Sequence, residues 1–127
     1  KTAGRPHIDL DLAAFLALGE TDLITTTPWT SGKTHFRGVS LRKLMKLAGA
    51  PDRDVKASAF NDYHSVIPAD DHRQYGIIVA YMQNGKRLTI RDKGPLWIIY
   101  PVDDHPETRT QRHFSRWVWQ LERLTVQ

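Results

Sequence analysis

Apolar residues in this chain come in short runs broken by Gly, Pro, Asn and Asp, and only two stretches carry the spacing of a helix. The strongest run is 96–100, Leu96-Trp97-Ile98-Ile99-Tyr100, which has no charge and is rich in strand formers. It predicts a strand buried on both faces. Gly94-Pro95 marks a corner at its entrance, and Pro101 ends it, because proline has no N–H to give to a ladder. The run 75–82 predicts a second buried strand, and Asn84-Gly85 a tight hairpin into a short return over 86–90. Runs 55–60 and 63–67 predict a strand pair around Asn61-Asp62, two residues that tolerate the φ of a tight turn; Pro68 closes it. Residues 23–27 and 117–126 predict further strands, with 7–10 as a short strand or lead-in.

Helical spacing appears first at 11–18, where Leu12, Phe15 and Leu16 share a face between an Asp9 or Asp11 cap and the stop at Gly19. It returns at 41–48, where Ser40 is a good N-cap, Leu41, Leu44, Met45 and Ala48 turn inward, and Gly49 ends the helix. Segments 28–32 and 105–113 read as loops, 69–73 as a helical turn or loop, and 35–38 as the approach to Ser40. The sum is one α+β domain over 1–127, with a compact mixed-sheet or barrel-like core and a few short helices.

Composition narrows function more than fold. With 40% hydrophobic and 25% charged residues the chain is ordinary globular material. Its formal charge of +4 is spread along the sequence, without the basic run a nucleic-acid surface uses. No apolar stretch nears the ~20 residues of a membrane span, so direct insertion is not expected. There is no cysteine, hence no disulfide, thiolate nucleophile or zinc ribbon. The Walker phosphate loop, the dinucleotide glycine fingerprint, the His-Glu-x-x-His helix and the Gly-x-Ser-x-Gly elbow are all missing, and no catalytic residue is assigned. Asp-Asp-His occurs twice, at 70–72 and 103–105. A metal site and a pair of solvated acidic turns both fit that pattern; the acidic turns are the commoner case, and no metal ligand is assigned.

Three segments then resemble one family. Phe36-Arg37-Gly38-Val39-Ser40-Leu41-Arg42-Lys43-Leu44 is similar to the aromatic-x-Gly-Val-x-Leu helix entry of sulfite-oxidase-type molybdopterin domains. Ala80-Tyr81-Met82-Gln83-Asn84-Gly85-Lys86-Arg87-Leu88 resembles that family's Asn-Gly hairpin, and Gly94-Pro95-Leu96 through Pro101 its Gly-x-Pro-Leu strand, one residue tighter at the corner. The closing segment 121–126 resembles the terminal strand, so the likeness runs over about 8–126. The resemblance implies the family's fold and a pterin-type cofactor. Two departures matter. The family's enzymes are much longer. They hold molybdenum through a cysteine placed before the aromatic-Gly-Val element, where this chain reads Thr25-Thr26-Thr27-Pro28-Trp29, and a hydroxyl is not a soft anionic sulfur.

The expectation is therefore a domain that binds a pterin non-covalently, without molybdenum, and works as a sensor rather than an enzyme. The resemblance further implies export to the periplasm, with a signal segment outside this chain, and a partner such as the periplasmic sensor domain of a membrane-bound cyclic-diguanylate enzyme. Two alternatives stay open: an oxidoreductase or oxidoreductase subunit using a molybdopterin-type cofactor, and an interaction domain without ligand. A pterin is a flat bicycle with an amino-oxo edge, which a carboxylate, a cation and an aromatic face can meet. The expected cleft lies between the loop of Trp29, the turn of Asn61, Asp62 and Tyr63, and the two ends of the central strand. Arg91, Asp92 and Lys93 stand at its entrance, Tyr100 at its exit, and Arg116 and Trp117 follow. In that cleft Asp92 takes the amino edge, Arg116 the carbonyl side, and Trp29 or Trp117 the ring face.

Overall fold

The structure, a computed structural model, describes residues 7–8, 15 and 17–127. Most of the expected helix over 11–18, and residues 9–10 of the lead-in over 7–10, lie outside the described residues. The rest forms two antiparallel sheets with short helices beside them. In the first, β1 (His7–Ile8), β9 (Leu121–Val126), β4 (Val55–Ala59) and β5 (His64–Ile67) lie in that order. In the second, β2 (Thr21–Thr25), β3 (Thr34–Ser40), β6 (Ile78–Gln83) and β7 (Lys86–Arg87) follow one another, and β8 (Trp97–Ile99) also pairs with β6. The α+β class stands, but the sheets do not close into a barrel. They are joined where the chain entering β9 crosses β8: Ile98 N donates to Val118 O at 2.9 Å, and Leu121 N to Leu96 O at 3.0 Å.

Local chemistry accounts for the turns. Asp62 takes φ 71°, Asn84 φ 50° and Gly85 φ 81°, so both hairpins turn where their side chains tolerate that backbone. Ser40 accepts from Lys43 N and starts α1 (Leu41–Leu47), which buries Leu41, Leu44 and Met45. Leu96 through Tyr100 are all buried, although only the middle three pair as a strand.

Several boundaries move. Strand β9 starts at Leu121 because Gln120, at φ 53°, breaks the extended run expected from 117. The return after Asn84-Gly85 pairs only over Lys86–Arg87, and Ile90–Asp92 forms a 3-10 turn. Residues 69–73 belong to α2 (Ala69–Gln74), and the polar loop after His105 holds a 3-10 turn (Pro106–Thr108) and α3 (Gln111–Phe114).

Strand β3 is the main surprise. Segment 35–38 looked like a lead-in, yet it sits at the heart of the second sheet between β2 and β6. Thr34, Phe36 and Gly38 point to the packed side while His35 and Arg37 are half-buried, a period of two obscured by a polar first member and a glycine. Gly38 is there for space: a Cβ would lie 2.0 Å from Val79 O and 2.6 Å from Ala80 Cα, at the register shift between Arg37 and Gly38. Gly38→Ala is therefore expected to lower stability by about 1–3 kcal/mol. Chemical denaturation checks this, with Gly76→Ala, where nothing lies within 4 Å of the added carbon, as the comparison.

Candidate functional site

The site is built around one loop. After β2 the backbone turns at Thr26, whose N–H and hydroxyl donate to the two oxygens of Asp103 at 3.0 and 2.5 Å. Arg109 Nη2 and Lys33 Nζ add bonds to the same carboxylate at 2.8 and 3.3 Å. Asp103 N in turn donates to Thr25 Oγ1, and Trp29 N to Thr27 Oγ1. The hydroxyls of Thr25, Thr26 and Thr27 are all engaged within this latch, which fixes where Trp29 goes. The Thr26 hydroxyl first, with its N–H and Lys33 after it, holds the Asp103 carboxyl below the usual carboxylate range against the opposing effect of burial.

Trp29 packs against Trp119, Trp117, Trp97 and Phe114 at centroid distances of 5.4, 5.5, 6.0 and 6.1 Å. It separates two hollows, lining both. On one side is a cavity of about 300 Å³ walled by Trp29, Tyr63, Phe114, Trp117 and Trp119. Tyr63 Oη donates to Ser115 O at 2.6 Å, which ties the β4–β5 turn to the end of α3 along this cavity. Trp117 is 1% exposed, and its indole N–H finds no acceptor among the described residues. On the other side is a more polar cleft of about 440 Å³ that holds Lys86, Arg87, Arg91, Asp92 and Lys93.

The expected site thus divides in four. Trp29, Asn61, Tyr63 and Trp117 meet at the aromatic cavity, as do Phe114, Ser115 and Trp119, which sequence reasoning did not select. Arg91, Asp92 and Lys93 face the second cleft, with Lys86 and Arg87, also not selected. Asp92 accepts from Thr89 Oγ1 at 3.1 Å and is not beside the aromatic cavity. Asp62 is exposed at its turn and lines neither hollow.

Tyr100 belongs to the core, and Arg116 lies partly buried beside it. Tyr100 Oη donates to Asp71 Oδ2 at 2.7 Å, and Arg116 Nη1 to the same oxygen at 2.8 Å. Burial, then the bond to Asp71, push the Tyr100 phenol far above its usual range, so it stays a donor. The Tyr100 ring stacks on Trp117, a wall of the aromatic cavity, at 6.0 Å and 9°. Arg116 was expected to reach a ligand; a carboxylate far away in the sequence claims it instead.

The two Asp-Asp-His triplets stay apart in role. His72 is buried with Nε2 2.7 Å from Arg53 O, while His105 packs on Tyr75 at 4.9 Å. Among the described residues no three His, Asp or Glu side chains gather as a metal-binding group.

Residues 15–103 match the oxidoreductase molybdopterin binding domain, and the chain belongs to that family. No curated protein matches its sequence. Among solved structures it is similar to the sulfane dehydrogenase SoxCD from Paracoccus pantotrophus, with a TM-score of 0.57 and 18% identity. The match covers 96% of this chain and 30% of that one, so the likeness is one of fold, and this chain spans under a third of its neighbour.

Two outcomes are expected. Arg116→Ala leaves Asp71 a buried charge without its partner and should cost about 3–5 kcal/mol in the ligand-free protein, whereas Asp92→Asn should stay within about 0.5 kcal/mol. Urea midpoints of the two variants check this; equal small losses would return Arg116 to the list of surface residues. Because the folded Asp103 carboxyl is depressed, its stabilisation is fully present above the unfolded value of about 3.9 and is lost as pH falls through the folded one. Asp103→Asn should therefore lower stability at pH 7 and flatten its dependence on pH below about 4, as read from thermal melts across pH.

Proposed function

We propose that this domain binds a pterin-type ring in the aromatic cavity, holds no molybdenum, and acts as a ligand-binding module rather than a catalyst. The observation that carries the reading is the cavity itself, an apolar wall of Trp29, Phe114 and Trp119 with the unpartnered N–H of buried Trp117 and the polar groups of Asn61 and Gln111 at its edge. Its volume of about 300 Å³ is at the small end of ligand sites and suits a bicyclic heterocycle. The metal is a different matter. A thiolate-held molybdenum does not suit these residues: the sequence has no cysteine, and the hydroxyls of Thr25, Thr26 and Thr27 are already committed to the latch. No redox step is assigned to the domain.

Export to the periplasm and a membrane-bound cyclic-diguanylate enzyme as partner are proposed with this reading on the strength of the family resemblance. Co-purification of the two proteins from solubilised membranes tests that part.

Titration with neopterin, followed by tryptophan fluorescence, tests the ring site. Saturable quenching is expected, and Trp29→Ala should weaken binding by roughly five- to a hundredfold, the ~1–3 kcal/mol that stacking a flat base on an aromatic ring supplies. Absence of saturable binding, or stoichiometric molybdenum in protein purified from cells making the cofactor, would overturn the proposal.

A further inference from the structure

Among the described residues the first sheet ends in an open edge, with no strand beyond β5. Ala59 N donates to Tyr63 O at 2.8 Å, and bonded pairs alternate along an antiparallel ladder. The bonded pairs that follow are 57 with 65 and 55 with 67, so the backbone N–H and C=O of His64 and Val66 point away from β4. Proteins blunt such edges with lysine, proline or a bulge. Residues 63–67 hold no charged side chain of the lysine kind and no proline, and β5 runs against β4 without a shift in register.

The edge is apolar as well as open. Of the six large apolar side chains exposed among the described residues, three, Phe60, Tyr63 and Val66, fall in the stretch 60–66. Such a cluster marks a contact surface, where single exposed apolar residues do not. The sheet face beside it carries cations. Lys56 lies across from Val66, and Ser58 across from both His64 and Arg123, so these side chains share the face opposite buried Val55, Ala57 and Ala59. Neither Lys56 nor Arg123 meets a carboxylate among the described residues, whereas Arg37, Arg73, Arg109 and Arg116 each do. The acids of this region, Asp62 and Glu122, fall at the turn and in the register shift of β9, off these two rows. The other long edge, β2, exposes one large apolar residue, Ile24, and its Asp22 is already bonded to His35 and Arg37.

We propose that β5 is a docking edge, at which a partner protein adds an extended strand whose carboxylates alternate with apolar residues. Main-chain bonds to His64 and Val66 supply affinity, and the alternation supplies specificity. With a side-chain period of two, the carboxylates fall on the face of Lys56 and Arg123, and the apolar residues on the face of Tyr63 and Ile67. A second copy of this chain suits the edge less well, because it brings an uncharged strand and its own Lys56 and Arg123. Tyr63 also lines the aromatic cavity, so the added strand runs beside that hollow. The docking does not depend on what the cavity binds.

The test is titration of the whole chain into a dye-labelled, end-blocked peptide that alternates valine with glutamate, read by fluorescence anisotropy. Saturable binding is expected, weakening as sodium chloride is raised and at least tenfold tighter than for the matching valine–lysine peptide. Amide exchange should show the N–H groups of His64 and Val66 becoming protected. Val66→Pro removes one outward donor and leaves the ladder to β4 intact, so it should abolish binding with an unchanged circular dichroism spectrum. Should that variant fail to fold, Lys56→Glu with Arg123→Glu carries the test: its preference should reverse to the lysine peptide. No saturable binding, equal affinity for the two peptides, or protection on β2 instead of β5 would overturn the proposal. So would self-association in sedimentation velocity that Val66→Pro abolishes, since the edge would then belong to a second copy. The outcome of the neopterin titration does not bear on it.

Discussion

One buried carboxylate oxygen ties together three segments that are far apart in sequence. Asp71, on α2, receives both the Tyr100 hydroxyl and the Arg116 guanidinium. Tyr100 directly follows β8; Arg116 leads into the Trp117–Trp119 segment. A buried ion pair is weak grounds for claiming stability, since its desolvation offsets most of the attraction. Its value here is positional. The Tyr100 ring lies flat on Trp117 with its hydroxyl anchored on Asp71, and Trp117 in turn forms a wall of the aromatic cavity. The shape of a hydrophobic hollow thus rests on a polar contact beneath it.

The same dependence explains what could be read from the chain and what could not. Turns carry their own instructions. Asn61-Asp62 and Asn84-Gly85 adopt the backbone angles their side chains favour, and the uncharged run at 96–100 is buried as its composition requires. Strand β3 is decided elsewhere: Gly38 is needed because Val79 and Ala80 pass so close, and nothing near Gly38 in sequence announces them. Tyr100 and Arg116 meet Asp71, which stands 29 and 45 residues away from them, and no local pattern announces that contact. Arg91, Asp92 and Lys93, adjacent in sequence, line one cleft, but no local signal tells that Tyr63 and Trp117 line another.

The Thr25–Thr27 latch is closed on itself. Here every hydroxyl is spent inside the protein, and Asp103, with its backbone N–H returning to Thr25, ties the end of β2 to the loop after β8. The loop becomes a brace, and its one outward product is the placement of Trp29.

That placement has an optical consequence. All four tryptophans of the chain are in one cluster, with Trp29 within 6.0 Å of each of the other three. Transition dipoles so close couple electronically, so the indoles absorb and emit as a group instead of as separate reporters. The near-ultraviolet dichroism of this domain is then set by one interlocked assembly. A ring entering beside Trp29 alters the signal of all four residues at once, and no single-tryptophan variant would carry the parent spectrum minus one term.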